Sequence, residues 1–314
     1  MTLFTVFGLP LTRYGAGCAL ALLAGLCVAG LALARRGFKY GVFVRLALCV
    51  IPLAWVFARL VWAAQDMISA GVGLYMDIDS GFDFLDALRF WHGGYSLMGA
   101  VIGAILGAKL AEGLTRSPRG SLRDALALGL PVAILVERLF EHGTGLGLGR
   151  TVTAGWLANL PICPVIEGEP VHPVYLYEAI AAVVILVLLL VWAKRKKPLM
   201  KRFLVCFGLS QVILESLRAD GHMVQHFVHV QQAIAIVLAV AALIGWSREA
   251  LSKPGRHTAV AVGWLLTVAA IGVGVWAEFG VDRWGRPLLA YGIMVASMVV
   301  IAVVAADFAR MAER

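Results

Sequence analysis

The chain has 314 residues, 61% of them hydrophobic and 15% charged, with a formal net charge of +8 and a mean hydropathy of +0.87. A soluble domain is about half apolar and a quarter charged, so this composition excludes one. A membrane β-barrel is excluded too, because barrel strands are short and alternate in polarity, whereas long apolar runs in lipid must be helices that pair their own backbone groups.

A hydrocarbon core about 30 Å thick takes roughly 20 apolar residues per helix. About nine such runs follow one another, near 14–34, 42–64, 96–114, 122–140, 174–193, 203–217, 227–246, 258–277 and 287–306. The expected fold is an all-α, polytopic transmembrane protein. The first run is long and poorly terminated, only Arg13 precedes it, and no small-residue cleavage site follows; it is read as a helix rather than a signal peptide. Lys and Arg mark alternate ends: Arg35, Arg36 and Lys39; Arg116, Arg119 and Arg123; Lys194, Arg195, Lys196, Lys197, Lys201 and Arg202; Arg248, Lys253 and Arg256; Arg310 and Arg314. By the positive-inside rule these ends are cytoplasmic, which puts the N-terminus in the periplasm and the C-terminus in the cytoplasm of a bacterial inner membrane. This topology explains the positive charge without a nucleic acid, and interleaved aromatic platforms for one are absent. Cys18, Cys27, Cys49 and Cys206 fall in spans as packing residues, and Cys163 has no obvious partner, so no disulfide is expected. Residues 1–246 read as the working body. Residues 247–314 read as a cytoplasmic linker, an appended two-helix hairpin and a short tail.

Ionisable groups inside a membrane are costly and mark function or pairing. Arg59, near the outer end of span two, is either a snorkelling cation or a site residue. The segment FWHGGYSLMGAVIGA (90–104) opens span three with His92, Gly93 and Gly94. Adjacent glycines permit sharp turns and close backbone approach, while Gly99 and Gly103 suit close helix packing. VERLFEHGTGLGLGR (136–150) places Glu137, Arg138, Glu141 and His142 at the end of an apolar span, before a glycine-rich turn ending in Arg150. An arginine fork with glycine N–H groups suits a phosphate; an Arg138–Glu ion pair at a helix end is the equal alternative. VHPVYLYEAI (171–180) starts span five with Tyr175, Tyr177 and Glu178; the tyrosines also fit an interfacial belt. In ILESLRADGHMVQHFVHVQQ (213–232), Glu215 and Arg218 share a helix face. His222, His226 and His229 follow at spacings that suit a metal only weakly, and Gln232 is expected to hydrogen-bond inward.

Taken together, these pieces resemble the prolipoprotein diacylglyceryl transferase family over about residues 50–246. The matching strings are the ARL of span two, W-x-GG-x-S-x-x-G, the ERL…G…GR loop, HP-x-x-LYE at 172–178, and E-x-x-R at 215–218 followed by QQAIAI. The resemblance implies transfer of a diacylglyceryl group from phosphatidylglycerol to the sulfur of a prolipoprotein lipobox cysteine, with glycerol phosphate leaving and no cofactor. It implies that Arg138 and Arg218 hold the lipid phosphate and that Tyr177 and Glu178 shape the headgroup pocket. It places Gly93 and Gly94 in a loop over the cavity. Glu141, Glu215 and Gln232 would line the substrate site, Arg59 would steer the anionic lipid, and Arg150 would help the product leave.

The chain departs from the family at Met98, which replaces the histidine of GG-x-S-x-HGG, and at Ala100, which replaces the last glycine. Glu141, Thr144 and Leu146 stand where the family signature has two Asn and a Glu. A thioether cannot accept a proton usefully. His92 or His142 would then serve as the base, since an imidazole exchanges protons near neutral pH. A paralogue with another acceptor and a non-catalytic lipid-binding protein are the other readings. A transporter would show two related halves with broken helices, and no such repeat is seen.

Overall fold

The computed structural model describes residues 2–6, 9–70, 76–77, 81–82, 94–152, 155–219, 224–225 and 228–313. His92, Gly93, His222 and His226 lie outside the described residues.

Nine long helices run through the described residues: α1 Arg13–Arg35, α2 Tyr40–Ala70, α3 Leu97–Thr115, α4 Ser121–Glu141, α5 Val174–Lys194, α6 Met200–Leu217, α7 Val230–Leu251, α8 His257–Val281 and α9 Pro287–Glu313. They coincide with the nine runs read from the sequence. Seven are long and apolar enough to cross a membrane. The other two are α4 and α6. α4 carries Arg123, Asp124, Glu137, Arg138 and Glu141, and α6 carries Lys201, Arg202 and Glu215. These charged residues separate the two from the seven more apolar helices.

Helices and loops form two compact units. The first comprises Met1–Met200 with Leu217–Met223, and the second Lys201–Ser216 with Val224–Arg314. α6 and α7 group with α8 and α9 in the second unit.

In the first unit α4 is central, packed against α1, α3 and α5. A helix enclosed by others can keep polar groups at its end, since they face protein and not lipid. Small residues set the close approaches. A Cβ on Gly99, Gly103 or Gly107 of α3 would strike the backbone of α2 at Phe57, Leu53 and Cys49 respectively. One glycine per turn therefore seats α3 against the α2 backbone. Gly25 of α1 and Gly129 of α4 make the same kind of contact, each lying against the other's carbonyl.

Helix N-termini leave unpaired N–H groups that need acceptors. Glu112 Oε1 accepts from the amides of Leu122 and Arg123 at 3.1 Å, capping α4. Asp124 Oδ1 accepts from Leu199 and Met200 at 2.8 and 2.9 Å, capping α6. Thr12 Oγ1 accepts from the Gly15 amide at 3.0 Å and starts α1.

A three-stranded antiparallel sheet connects α4 to α5, in the order Leu148–Thr151, Glu169–Pro173, Val165–Ile166. A second hairpin, Thr2–Val6 with Leu9–Thr12, leads into α1. These strands were not anticipated in the sequence; they are short and lie between spans.

In the second unit α8 packs on α9, and α9 on α7. Gly263 of α8 makes room for the Phe308 ring. The end of α9 is tied down by polar contacts. Arg202 pairs with Glu313, and Lys253 Nζ donates to the Ala312 carbonyl at 2.7 Å. Both Lys201 and Arg202 approach the Trp246 ring, at 5.9 and 5.7 Å.

Candidate functional site

The C-terminal turn of α4 presents Glu137, Arg138 and Glu141, and α5 presents Glu178 one turn from its start. Arg218 immediately follows α6. These side chains meet in the first unit. Arg138 Nη1 donates to Glu141 Oε1 at 2.5 Å. Its Nε lies 2.5 Å from Glu178 Oε2 and 3.4 Å from Glu137 Oε2. Arg218 Nη1 donates to Glu178 Oε1 and Oε2 at 3.3 and 3.4 Å, and its Nη2 lies 3.9 Å from Glu141 Oε1. Arg138, Glu141, Glu178 and Arg218 are each at least 95% buried.

Two features position this cluster. Arg218 continues the chain as an antiparallel bridge to Gly149, and the next amide, Ala219, donates to the Leu148 carbonyl at 3.1 Å. The glycine-rich turn is thus clamped on the residue that carries the second guanidinium. The turn itself alternates left-handed glycines: Gly143, Gly145 and Gly147 have φ of 74°, 81° and 67°. Only glycine enters that region without cost. At Gly147 an added Cβ would also lie 2.5 Å from Glu141 Oε2 and 2.6 Å from Tyr175 Cβ. The turn closes through Thr144, whose Oγ1 donates to the Glu141 carbonyl at 2.6 Å, and through the Gly147 carbonyl, which accepts from the Tyr175 amide at 2.9 Å.

Two guanidiniums against three carboxylates leave a formal charge of −1 on the five groups. The cluster is therefore no simple cationic cradle. Its carboxylates orient both arginine forks, and a buried Arg–Glu set is stable only when its geometry satisfies the charges in this way. The ion-pair alternative at the end of α4 is present, and it extends to a second arginine.

His142 caps α4, is exposed, and shares a hydrogen bond with the Tyr175 hydroxyl at 2.8 Å. Tyr177 is turned to His172, with its hydroxyl 3.2 Å from Nδ1. Burial holds the His172 imidazole below the ordinary histidine range. Arg150 lies half-buried in the strand Leu148–Thr151. Met98 is fully buried.

Arg59 corrects a sequence reading. It does not snorkel: the side chain is 0% exposed. Nη1 donates to the Gly94 carbonyl at 2.8 Å, and the guanidinium lies 5.0 Å from the Trp62 ring and 5.9 Å from that of Tyr95. Gly94, with φ of 73°, backs directly onto Trp62. Arg59 thus anchors the segment leading into α3.

Two further predicted residues lie in the second unit. Glu215 is fully buried. Gln232 Nε2 donates to the Val212 carbonyl at 2.9 Å and to Glu278 Oε2 at 3.1 Å, while its Oε1 accepts from the His229 amide at 2.9 Å. Gln232 bonds inward, as its sequence context suggested. With His222 and His226 outside the described residues, the triple-histidine face is not defined. Among the described residues no group of three His, Cys, Asp or Glu is arranged to hold a metal ion.

The sequence reading missed Tyr14. Its hydroxyl donates to Glu137 Oε1 at 2.5 Å and joins α1 to the cluster. A tyrosine at the start of a span reads as a belt residue, so nothing in the sequence marks its partner.

Comparison with known proteins gives a family for this arrangement. A family model described as prolipoprotein diacylglyceryl transferase matches residues 1–248. A phosphatidylglycerol–prolipoprotein diacylglyceryl transferase of Halalkalibacterium halodurans is 26% identical over 242 residues, covering 74% of this chain and 80% of that protein. Its namesake in Clostridioides difficile is 24% identical over 81% of this chain and 96% of the relative. A third, from Bacillus velezensis, is 28% identical over 67% of this chain and 77% of its own length. The match spans α1 to α7 and includes every residue of the arginine–carboxylate cluster, and the chain belongs to the prolipoprotein diacylglyceryl transferase family.

Proposed function

We propose that the protein transfers a diacylglyceryl group from phosphatidylglycerol to the lipobox cysteine sulfur of prolipoproteins and releases glycerol phosphate. The observation that carries this reading is the convergence of Arg138 and Arg218 on Glu178 in an apolar, multi-helix protein. Two preoriented guanidiniums near a membrane are suited to a phosphodiester.

The acceptor thiolate attacks the glycerol carbon that bears the phosphate. A carbon–sulfur bond forms as the carbon–oxygen bond breaks, and the electron pair leaves on glycerol phosphate. Charge grows on the departing phosphate, so fixed arginine donors stabilise the transition state more than the ground state. The thiol must first lose its proton, because the thiolate is the nucleophile. His142 takes it: the ring is exposed, follows Glu141 directly, and is oriented by Tyr175. The Lys and Arg distribution puts this end of α4 at the periplasmic face, where prolipoproteins present their cysteines. The protein works in the bacterial inner membrane, with its N-terminus in the periplasm and its C-terminus in the cytoplasm.

The full burial of Met98 favours one competing reading, a paralogue that keeps the phospholipid grip and serves another acceptor. Complementation of a conditional diacylglyceryl transferase mutant separates the two, with lipidation read by gel shift. Growth and lipidation that depend on Arg138 support the transferase. Inserted, well-expressed protein that lipidates nothing overturns it in favour of the paralogue.

A further inference from the structure

α8 and α9 lie beyond residues 1–248, the part of the chain that matches the family. Both are long and apolar enough to cross a membrane, and the turn Asp282–Arg286 joins them. The turn therefore sits where two spans reach the same face of the bilayer. By the orientation proposed above that face is periplasmic, since Lys253 and Arg256 precede α8 and Arg310 lies at the end of α9. Short outer connections are normally poor in Lys and Arg. This one carries Arg283 and Arg286 against a single acid, Asp282, for a net charge of +1, and both arginines are exposed. Topology accounts for the basic residues at the inner ends of the spans, but not for these two.

The backbone of the turn is pinned at both arginines. The Gly280 carbonyl accepts from the amides of Arg283 and Trp284 at 3.2 and 3.0 Å, and the Arg286 carbonyl accepts from Leu289 and Ala290 at 3.1 and 3.3 Å. The Trp284 ring folds back into a notch left by Gly280, where an added Cβ would lie 2.3 Å from it, and its centroid is 4.4 Å from that of Trp276. The Arg283 guanidinium lies 3.7 Å from the Phe279 ring centroid. An arginine held over an aromatic face is restrained before a ligand arrives, so less freedom is lost on binding. Around these groups the surface opens outward: Trp276 is 57% exposed, and Leu288, just past the turn, is 87% exposed. Tryptophan at a span end belongs at the headgroup layer, and an exposed leucine beside it belongs in the acyl region.

We propose that this turn is a docking surface for the headgroup of an anionic phospholipid in the outer leaflet. Arg283 and Arg286 supply the donors, through the charge-assisted bonds that guanidiniums form with phosphate oxygens. The Trp276–Trp284 pair sets their depth at the headgroup layer. The occupant is a lipid and not a soluble anion, because the turn is continuous with two membrane spans and its neighbours are exposed apolar side chains. An aromatic belt alone explains the tryptophans and leaves the two outer arginines without a role. The docking surface rests on the periplasmic orientation and not on the transfer reaction, and all its residues lie in the second unit.

The test is native mass spectrometry of the full-length protein in mild detergent, titrated with phosphatidylglycerol or with phosphatidylcholine. Wild type is compared with Arg283→Gln plus Arg286→Gln, and with Arg283→Lys plus Arg286→Lys. Wild type should retain one more phosphatidylglycerol than the Gln pair at matched lipid concentration. The apparent Kd for that lipid should weaken roughly tenfold or more in the Gln pair, the scale of removing two basic residues from an anionic surface. Phosphatidylcholine should bind both alike. The Lys pair keeps the charge, loses the fork and should fall between. The difference should persist on an Arg138→Lys background, which separates this lipid from one held by the arginine–carboxylate cluster. Equal phosphatidylglycerol retention by wild type and the Gln pair overturns the proposal and leaves an aromatic belt without headgroup recognition. A change from dimer to monomer with an unchanged lipid count also overturns it and assigns the turn to a second copy of the chain. Labelling of Arg286→Cys by a membrane-impermeant maleimide in spheroplasts, with wild type as background, reads the side of the membrane. Labelling only after permeabilisation overturns the outer-leaflet assignment. Lipid retention is read without turnover, so a failure of the diacylglyceryl transfer reading is seen separately.

Discussion

Glu178 and Arg138 meet with Oε2 2.5 Å from Nε, and the same carboxylate also accepts from Arg218. Removing this carboxylate leaves two buried cations short of their shared partner. Breaking a buried ion pair by deleting one member costs about 3–5 kcal/mol. Glu178→Ala should therefore lower the melting temperature markedly in detergent and abolish transfer. Glu178→Gln keeps one acceptor and should fall between. A Glu178→Ala protein as stable as wild type would show that Glu178 does not organise the arginines.

Arg138→Lys is the sharper probe of the phosphate site. A lysine keeps the charge but loses the planar fork and Nε, which lies against Glu178 and Glu137. Turnover should drop by roughly 10²-fold, the scale of losing one transition-state donor, with membrane insertion intact. Lysine performing as well as arginine would rule out a bidentate grip.

The nine helices were legible in the sequence because membrane spans announce themselves by length and apolarity. The cluster was legible only in part. Arg138, Glu141, Glu178 and Arg218 were found because ionisable groups at the ends of apolar runs are rare. Their mutual pairing was not readable, since it depends on α4, α5 and the segment that carries Arg218 meeting in space. Arg59 stood between snorkelling and a site role; its burial removes the first, and the bond to the Gly94 carbonyl is one that no side-chain pattern reports. Tyr14 was hidden among interfacial aromatics. The bond between Gln232 and Glu278 joins residues 46 positions apart, and α8 looked bland around its single carboxylate.

Packing of α3 on α2 gives a third prediction. Gly103 lies against the Leu53 carbonyl, so any side chain there must push the two backbones apart. Overpacking of this kind costs about 1–3 kcal/mol, occasionally more. Gly103→Val should lower thermal stability more than Gly113→Val, since Gly113 faces open space. Equal effects would mean that helix propensity, and not packing, dominates.

The His172 imidazole titrates below its usual range because burial disfavours the charged form. The unfolded chain then takes up its proton at a higher pH than the fold does. The stability contributed by His172 is fully present above the ordinary imidazole pKa of about 6.5 and declines as pH falls through that value toward the folded one. Wild-type protein should lose thermal stability on acidification from pH 7 to 5, and His172→Gln should lose less over the same interval. Identical pH profiles for the two would remove His172 from the balance.

Gly147 joins backbone strain to the site. Its φ of 67° is unfavourable for a side chain, and an added methyl would meet both Glu141 Oε2 and Tyr175. Backbone strain of this kind costs of order 1–3 kcal/mol. Relief requires Glu141 to move, and Glu141 is the carboxylate bonded to Arg138. Gly147→Ala should therefore depress turnover, while Gly143→Ala, equally left-handed but with open space around it, should cost stability without a comparable loss of turnover. Were both variants to lose stability and activity in parallel, strain in the turn alone would explain them, and the contact between Gly147 and Glu141 would carry no functional weight.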